Sequence, residues 1–332
     1  MINGIINVYK EKGFTSHDVV AKLRGILGQK KIGHTGTLDP DAEGVLPVCL
    51  GRATKLCDML TEKDKTYEAV LLFGKTTDTQ DISGRVLEEK ETGHLTVDKI
   101  EECIWTYIGE FEQVPPMYSA LKVNGKKLYE LAREGKEVER KARKVQIHDI
   151  QIRKIEIPRV TMEVSCSKGT YIRTLCHDIG QNLGTGACME SLLRTRVSRF
   201  EIKDSLKLGQ IETLVKEGRV MEVVIPVDDM FSDAPAFSVD PQYAPLAYNG
   251  NLLKANFLKI GKPGAGRTLD EAHLTEGTQF FKADGRKASL KDGTRVRIYD
   301  EAGRFIGIYC YHEKRKEYKL EKMFLDQEEL RG

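Results

Sequence analysis

The stretch Gly33-His34-Thr35-Gly36-Thr37-Leu38-Asp39-Pro40-Asp41-Ala42-Glu43-Gly44-Val45-Leu46-Pro47 carries three glycines and two prolines, and it reads as a loop closing into an apolar run. Asp39 precedes Pro40, which biases its backbone toward β or polyproline geometry. Leu38, Val45 and Leu46 surround it with apolar bulk, where a carboxylate is costly unless paired. Two readings follow. One is a turn aspartate in an Asx-type hydrogen bond, which the local sequence alone favours. The other is an ionised group held in place for chemistry.

Outward from this loop the pattern becomes regular. Thr15-Ser16-His17-Asp18 is a helix start signal, followed by Val19, Val20, Leu23, Ile26 and Leu27 at helical spacing and by Gly28 as the stop. Beyond the loop, 45–50 is apolar and 53–60 reads as helix. Residues 66–73 alternate, with Tyr67, Ala69, Leu71 and Phe73 on one side, and read as a strand ending at Gly74. Helical spacing returns at 97–107, and 126–133 reads as a short basic amphipathic helix closed by Gly135. Strands are expected at 146–152 and 160–165, then a helix over 171–183. This mixture lacks a βαβ rhythm, so the expected class is α+β with a mixed, mostly antiparallel sheet. Prolines at 226, 235, 241 and 245 mark a boundary, which divides the chain into 1–232 and 233–332. Past it, 294–298, 305–311 and 318–324 read as strands of a small all-β module.

Composition narrows the function. The 332 residues are 40% hydrophobic and 31% charged. No apolar run approaches the ~18 residues a membrane span needs, and the first ten residues lack a basic n-region and a long apolar core, so no signal peptide is expected. Seven scattered cysteines without a C-x-x-C suit reduced thiols in a cytosol. Net charge is only +2, but 119–154 holds eleven Lys/Arg against five Asp/Glu, either a solvated face or a nucleic-acid contact. Gly261-Lys262-Pro263-Gly264-Ala265-Gly266 lacks the G-x-G-x-x-G order of a dinucleotide loop. The seven histidines, from His17 to His312 with His273 among them, show no metal-ligand spacing, so no metal centre is expected.

Taken whole, the string from Gly33 to Pro47 resembles the catalytic motif of the TruB family of tRNA pseudouridine synthases, which modify uridine 55 in the T arm. Lys65-Thr66-Tyr67-Glu68-Ala69 resembles the family's tyrosine motif, followed by Phe73-Gly74-x-x-Thr77-Asp78-Thr79-x-Asp81-x-x-Gly84. Pro115-Pro116-x-Tyr118-Ser119-Ala120-Leu121-Lys122 resembles the entrance to its RNA-binding thumb, over about 115–145, and Lys168-Gly169-Thr170-Tyr171-Ile172-Arg173-Thr174-Leu175 its arginine motif. The chain departs from the family at Lys10-Glu11-Lys12-Gly13, where Lys-Pro-x-Gly is usual, and at Ser198, where glycine is common.

The resemblance implies a pseudouridine-synthase catalytic domain followed by a PUA-like RNA-binding domain. It also implies an isomerase with no cofactor and no metal, since the reaction is redox-neutral, acting in the cytoplasm as a monomer on the T stem-loop of tRNA. Asp39 would act at the ribose, paired by Arg173, because bidentate pairing suits arginine. Tyr67 would stack on the uracil and take part in proton removal at carbon 5. His34 would fill the space left by the flipped nucleotide. Leu192, Tyr171 and Lys10 would line the site, and Tyr118, Lys126, Lys127, Arg143 and Lys144 would hold RNA. Each has a plain alternative: a phosphate-binding arginine, a core tyrosine or leucine, a solvated loop histidine. Two rival functions remain, an RNA-folding protein with incidental chemistry and a guide-RNA-dependent synthase.

Overall fold

The computed structural model describes residues 1–263, 279–281 and 287–325. The glycines at 264 and 266 and His273 lie outside the described residues. Two compact units are present: Ile6–Val48 with Leu56–Val220, and Met1–Ile5 with Cys49–Lys55 and Met221–Gly332.

In the larger unit, β1 (Gly4–Lys10) leads into α1 (Ser16–Leu27). Its start is a reciprocal box: the Asp18 amide donates to the Thr15 hydroxyl at 3.0 Å, and the Thr15 amide donates to the Asp18 carboxylate at 2.8 Å. Gly28 ends it in the left-handed region at φ 61°. β2 (Ile32–His34) and β3 (Glu43–Leu50) flank the loop. The helix expected at 53–60 is a 3-10 turn (Gly51–Leu56) followed by the short α2 (Cys57–Thr61). There the Thr54 hydroxyl donates to the Gly51 carbonyl at 2.8 Å, closing a turn tighter than an α-helix.

β4 (Lys65–Phe73) is followed by the hairpin β5 (Lys75–Thr77) and β6 (Val86–Glu89), then α3 (Val97–Trp105) and β7 (Gly109–Gln113). A second hairpin, β8 (Lys122–Val123) and β9 (Lys126–Lys127), turns through Asn124 and Gly125 at φ 51° and 82°. Because that hairpin takes Lys126 and Lys127, the helix expected from 126 begins two residues later as α4 (Leu128–Arg133). β10 (Arg143–Glu156), β11 (Arg159–Cys166), α5 (Ile172–Asn182), β12 (Ala187–Val197), β13 (Phe200–Glu201) and α6 (Leu208–Lys216) complete the unit.

The sheet runs β1-β3-β12-β4-β11-β10-β7, with β2 added to β3 and β13 to β12. β12 pairs antiparallel with β4 but parallel with β3, so Arg194 stands opposite Tyr67 on one side and Gly44 on the other. Ile100 and Ile104 of α3 and Leu175 and Ile179 of α5 cover Ala69, Leu71, Met162 and Val164 of the sheet. This apolar burial is the main force that holds α5, and Arg173 at its start, over the sheet.

The smaller unit contains β14 (Ala236–Val239), α7 (Ala244–Tyr248), β15 (Leu253–Lys254), β16 (Leu258–Ile260), β17 (Gln279–Phe281), β18 (Lys287–Ser289), β19 (Arg295–Tyr299), β20 (Phe305–His312) and β21 (Glu317–Met323). Six of them form a near-barrel sheet ordered β15-β21-β20-β19-β14-β16, around Phe237, Val296, Ile298, Ile306 and Tyr309. The three strands read from the sequence are all present. The longest segment of the unit begins at Met221, ahead of the proline-marked stretch, and within it Phe231 packs 5.8 Å from the Phe324 ring and Asp228 accepts from the Tyr299 hydroxyl at 2.8 Å. Among the described residues no helix is long and apolar enough to cross a membrane.

Candidate active site

Between β2 and β3 the chain runs without regular structure, so the polar groups of its backbone must find other partners. Three buried side chains supply them. Leu38 donates its amide to the Ser16 hydroxyl at 2.9 Å. Lys10, at the end of β1 and 0% exposed, donates to the Pro40 carbonyl at 3.0 Å and the Ala42 carbonyl at 2.5 Å. Arg194, 1% exposed, donates to the Val45 carbonyl at 2.7 Å and the Thr37 carbonyl at 3.4 Å. Burial pulls the Lys10 ammonium down to about 8, against the opposing pull of Glu43 and Asp39. Gly44 has φ +106°, and a Cβ there would overlap the Arg194 carbonyl, so only glycine permits this approach.

Asp39 projects from the pinned loop toward α5, with 42% of its side chain accessible. Arg173 Nε lies 3.2 Å from Asp39 Oδ2. The same guanidinium reaches Asp81 Oδ2 at 3.3 Å and donates to the Thr79 carbonyl at 3.2 Å and the Tyr118 carbonyl at 2.9 Å. Asp81 is itself held by the Thr79 hydroxyl at 2.8 Å and the Ser83 amide at 3.1 Å. One cation therefore serves two carboxylates. Burial raises the Asp39 carboxyl above the usual range; Arg173 pulls it down, and Asp81 adds to the rise.

Tyr67 on β4 lies within electrostatic reach of both Asp39 and Arg194. Burial raises its phenol, and the adjacent Arg194 guanidinium opposes that rise. Leu192 lies opposite Ala69 and packs partly buried against the core. Tyr171 is clipped by Gln113, which accepts its amide proton at 2.8 Å and donates to its carbonyl at 3.1 Å. His34 Nδ1 accepts the Gly36 amide proton at 3.3 Å, and its ring meets His17 edge-on at 5.3 Å. Burial lowers the His34 imidazole, so it is held as the neutral ring at pH 7. The structure thus brings Asp39, Arg173 and Tyr67 to one centre, with Lys10 behind the loop, His34 at the loop's start and Tyr118 bound to Arg173 through its carbonyl.

The remaining basic residues stand on separate elements with their own partners. Lys126 pairs with Glu134 at 3.5 Å, Lys127 with the Tyr129 hydroxyl at 3.2 Å, and Lys144 with Glu110 at 3.0 Å; Arg143 is exposed. Exposed pairs of this kind are weak and screened by salt, so phosphates can displace them. Alanine at Lys126, Lys127, Arg143 and Lys144 together is expected to flatten the log–log salt dependence of RNA binding by up to about three units, measured by filter binding. An unchanged slope would mean a solvated face only.

Sequence reasoning gave no role to Asp81, although it stood inside a quoted motif, and none to Arg194. Their spacing from Asp39 and Tyr67 becomes informative only once the strand register is known. Ser16 was read only as part of a helix start, and Gln113 carried no signal.

Residues 24–172 match the family model described as TruB family pseudouridylate synthase (N terminal domain), and residues 173–232 that of the tRNA pseudouridylate synthase B C-terminal domain. A curated tRNA pseudouridine synthase B of Lachnoclostridium phytofermentans is 50% identical over 98% of this chain and 100% of its own length. One from Clostridium perfringens is 41% identical over the same shares. The fold is shared with the solved H/ACA RNP bound to a substrate RNA containing 2'-deoxyuridine, at TM-score 0.67 and 23% identity, over 98% of this chain and 86% of that one.

Proposed function

The chain belongs to the TruB family and is a tRNA pseudouridine synthase of that type, and from this we propose that it isomerises uridine 55 of the T arm, with Asp39 acting at the ribose. The observation that carries the assignment is the single guanidinium of Arg173 bridging Asp39 and Asp81.

Isomerisation breaks the bond between ribose C1′ and uracil N1, turns the base, and forms a bond between C1′ and carbon 5. Carbon 5 loses a proton and N1 gains one, so composition is unchanged. An ionised Asp39 serves either as nucleophile on C1′ or as base for the 2′ proton. Arg173 keeps that carboxylate aimed and opposes the rise that burial imposes on it. The base must leave its stack, at a cost of a few kcal/mol. His34, whose Nδ1 accepts the Gly36 amide proton, takes the vacated position. Tyr67 receives the carbon 5 proton as its own hydroxyl proton passes toward N1 or to solvent. The full-length identity to relatives named for tRNA supports this substrate over a guide-RNA system.

The test is site mapping. An unmodified tRNA transcript incubated with the protein and treated with carbodiimide should give one new primer-extension stop, at uridine 55. A stop elsewhere, or none, would overturn the assignment.

A further inference from the structure

Arg194 is unusual for its cost. Among the described residues it heads the fully buried side chains by volume, and burying a guanidinium costs several kcal/mol unless its donors are used. They are used on two sides. Nε holds the Val45 carbonyl of β3 and Nη1 the Thr37 carbonyl of the Asp39 loop, and the strand register sets Arg194 beside Tyr67, whose phenol its charge makes more acidic. Arg194 lies directly opposite Tyr67 on β4 and opposite Gly44 on β3.

We propose that Arg194 is a positioning residue: one buried guanidinium that locks the Tyr67 phenol and the Asp39 loop into a single arrangement and stabilises negative charge on the phenol oxygen during proton transfer at carbon 5. This rests on the reading of Tyr67 as proton acceptor. Capping carbonyls needs only neutral donors; a full charge facing the phenol serves a different end. Beside that charge the Tyr67 hydroxyl gives up its proton more readily than burial alone would allow. Tyr67 passes that proton to the uracil N1 side or to solvent and takes the carbon 5 proton, ending as it began.

The surrounding groups single out the arginine. The Tyr67 phenol faces Cys166 from β11, whose thiol burial pushes up to about 12 and so keeps neutral, and Asp39 from the loop, which opposes phenolate. Arg194 in turn faces Lys10 from β1, Lys65 from β4 and His34.

The experiment compares Arg194→Lys, which keeps a charge, with Arg194→Gln, which keeps neutral donors. Single-turnover tritium release from a T-arm stem-loop labelled at uridine carbon 5 is measured from pH 6 to 9.5, beside RNA affinity and melting temperature. Arg194→Gln is expected to slow release by about 100-fold at pH 7, or about 2.7 kcal/mol, with affinity within about threefold. That deficit should shrink as pH rises, and Arg194→Lys should be the less impaired. Equal losses in both variants, constant with pH, would reduce Arg194 to a loop fastener and overturn the proposal. Should neither variant fold, Tyr67→Phe tests the link from the other side: the guanidinium proton resonances of Arg194 must shift when the hydroxyl is removed, and unchanged resonances overturn it. If Tyr67→Phe retains full activity, the fault lies instead with the role given to Tyr67.

Discussion

Asp39→Asn is expected to abolish turnover, by at least about 10³-fold or about 4 kcal/mol, while leaving stem-loop affinity within about tenfold. The amide keeps the shape but can neither attack C1′ nor take a proton. Its effect on folding should run the other way. The folded Asp39 carboxyl titrates above its unfolded counterpart, so at pH 7 its ionisation disfavours the folded state, and that penalty disappears as pH falls through the raised value. Removing the charge is therefore expected to leave the melting temperature unchanged or higher. The wild-type rate should fall on acidification at a pH above that of an ordinary aspartate, as Asp39 takes up its proton. A variant that is both inactive and badly unfolded would show that Asp39 serves structure first.

Arg173→Lys is the second large effect. Arg173 spans Asp39, Asp81 and the carbonyls of Thr79 and Tyr118, and its side chain is 7% exposed. A lysine ammonium is a point charge that cannot reach both carboxylates in that fork. We expect a loss of about 10²–10³-fold in single-turnover rate, or about 3–4 kcal/mol. Stability should fall by about 2 kcal/mol, below the 3–5 of a fully buried pair because Asp39 is partly open to solvent. The acid limb of the rate profile should move to higher pH, since Asp39 loses the partner that holds its carboxyl down. Near-normal rates with an unshifted limb would remove Arg173 from the chemistry.

What could be read in the sequence was what local rules decide. The Thr15 box and the Gly28 stop announced α1, period-two alternation announced β4, and short stretches past the proline-marked boundary announced the strands at the C-terminal end. The pairing of Asp39 with Arg173 was named from motif resemblance, and the two side chains meet at 3.2 Å. Asp81 was visible but mute, because 42 residues separate it from Asp39 and only the fold brings it to the same guanidinium. Arg194 was hidden for the same reason: its role depends on a parallel β12–β3 register that no local signal encodes. Failures at element ends had local causes too. The Asn124-Gly125 turn took residues expected in α4, and the Thr54 hydroxyl tightened what looked like a helix.

The central claim is that Asp39, aimed by an arginine it shares with Asp81, drives the isomerisation of the T-arm uridine. Tritium release from a stem-loop labelled at uridine carbon 5 tests this most directly, with purified wild-type protein and Asp39→Asn run side by side at saturating enzyme. One tritium per stem-loop is expected from the wild type and none above the no-enzyme control from Asp39→Asn, with both proteins binding the RNA. Release by Asp39→Asn at a rate near that of the wild type would contradict it.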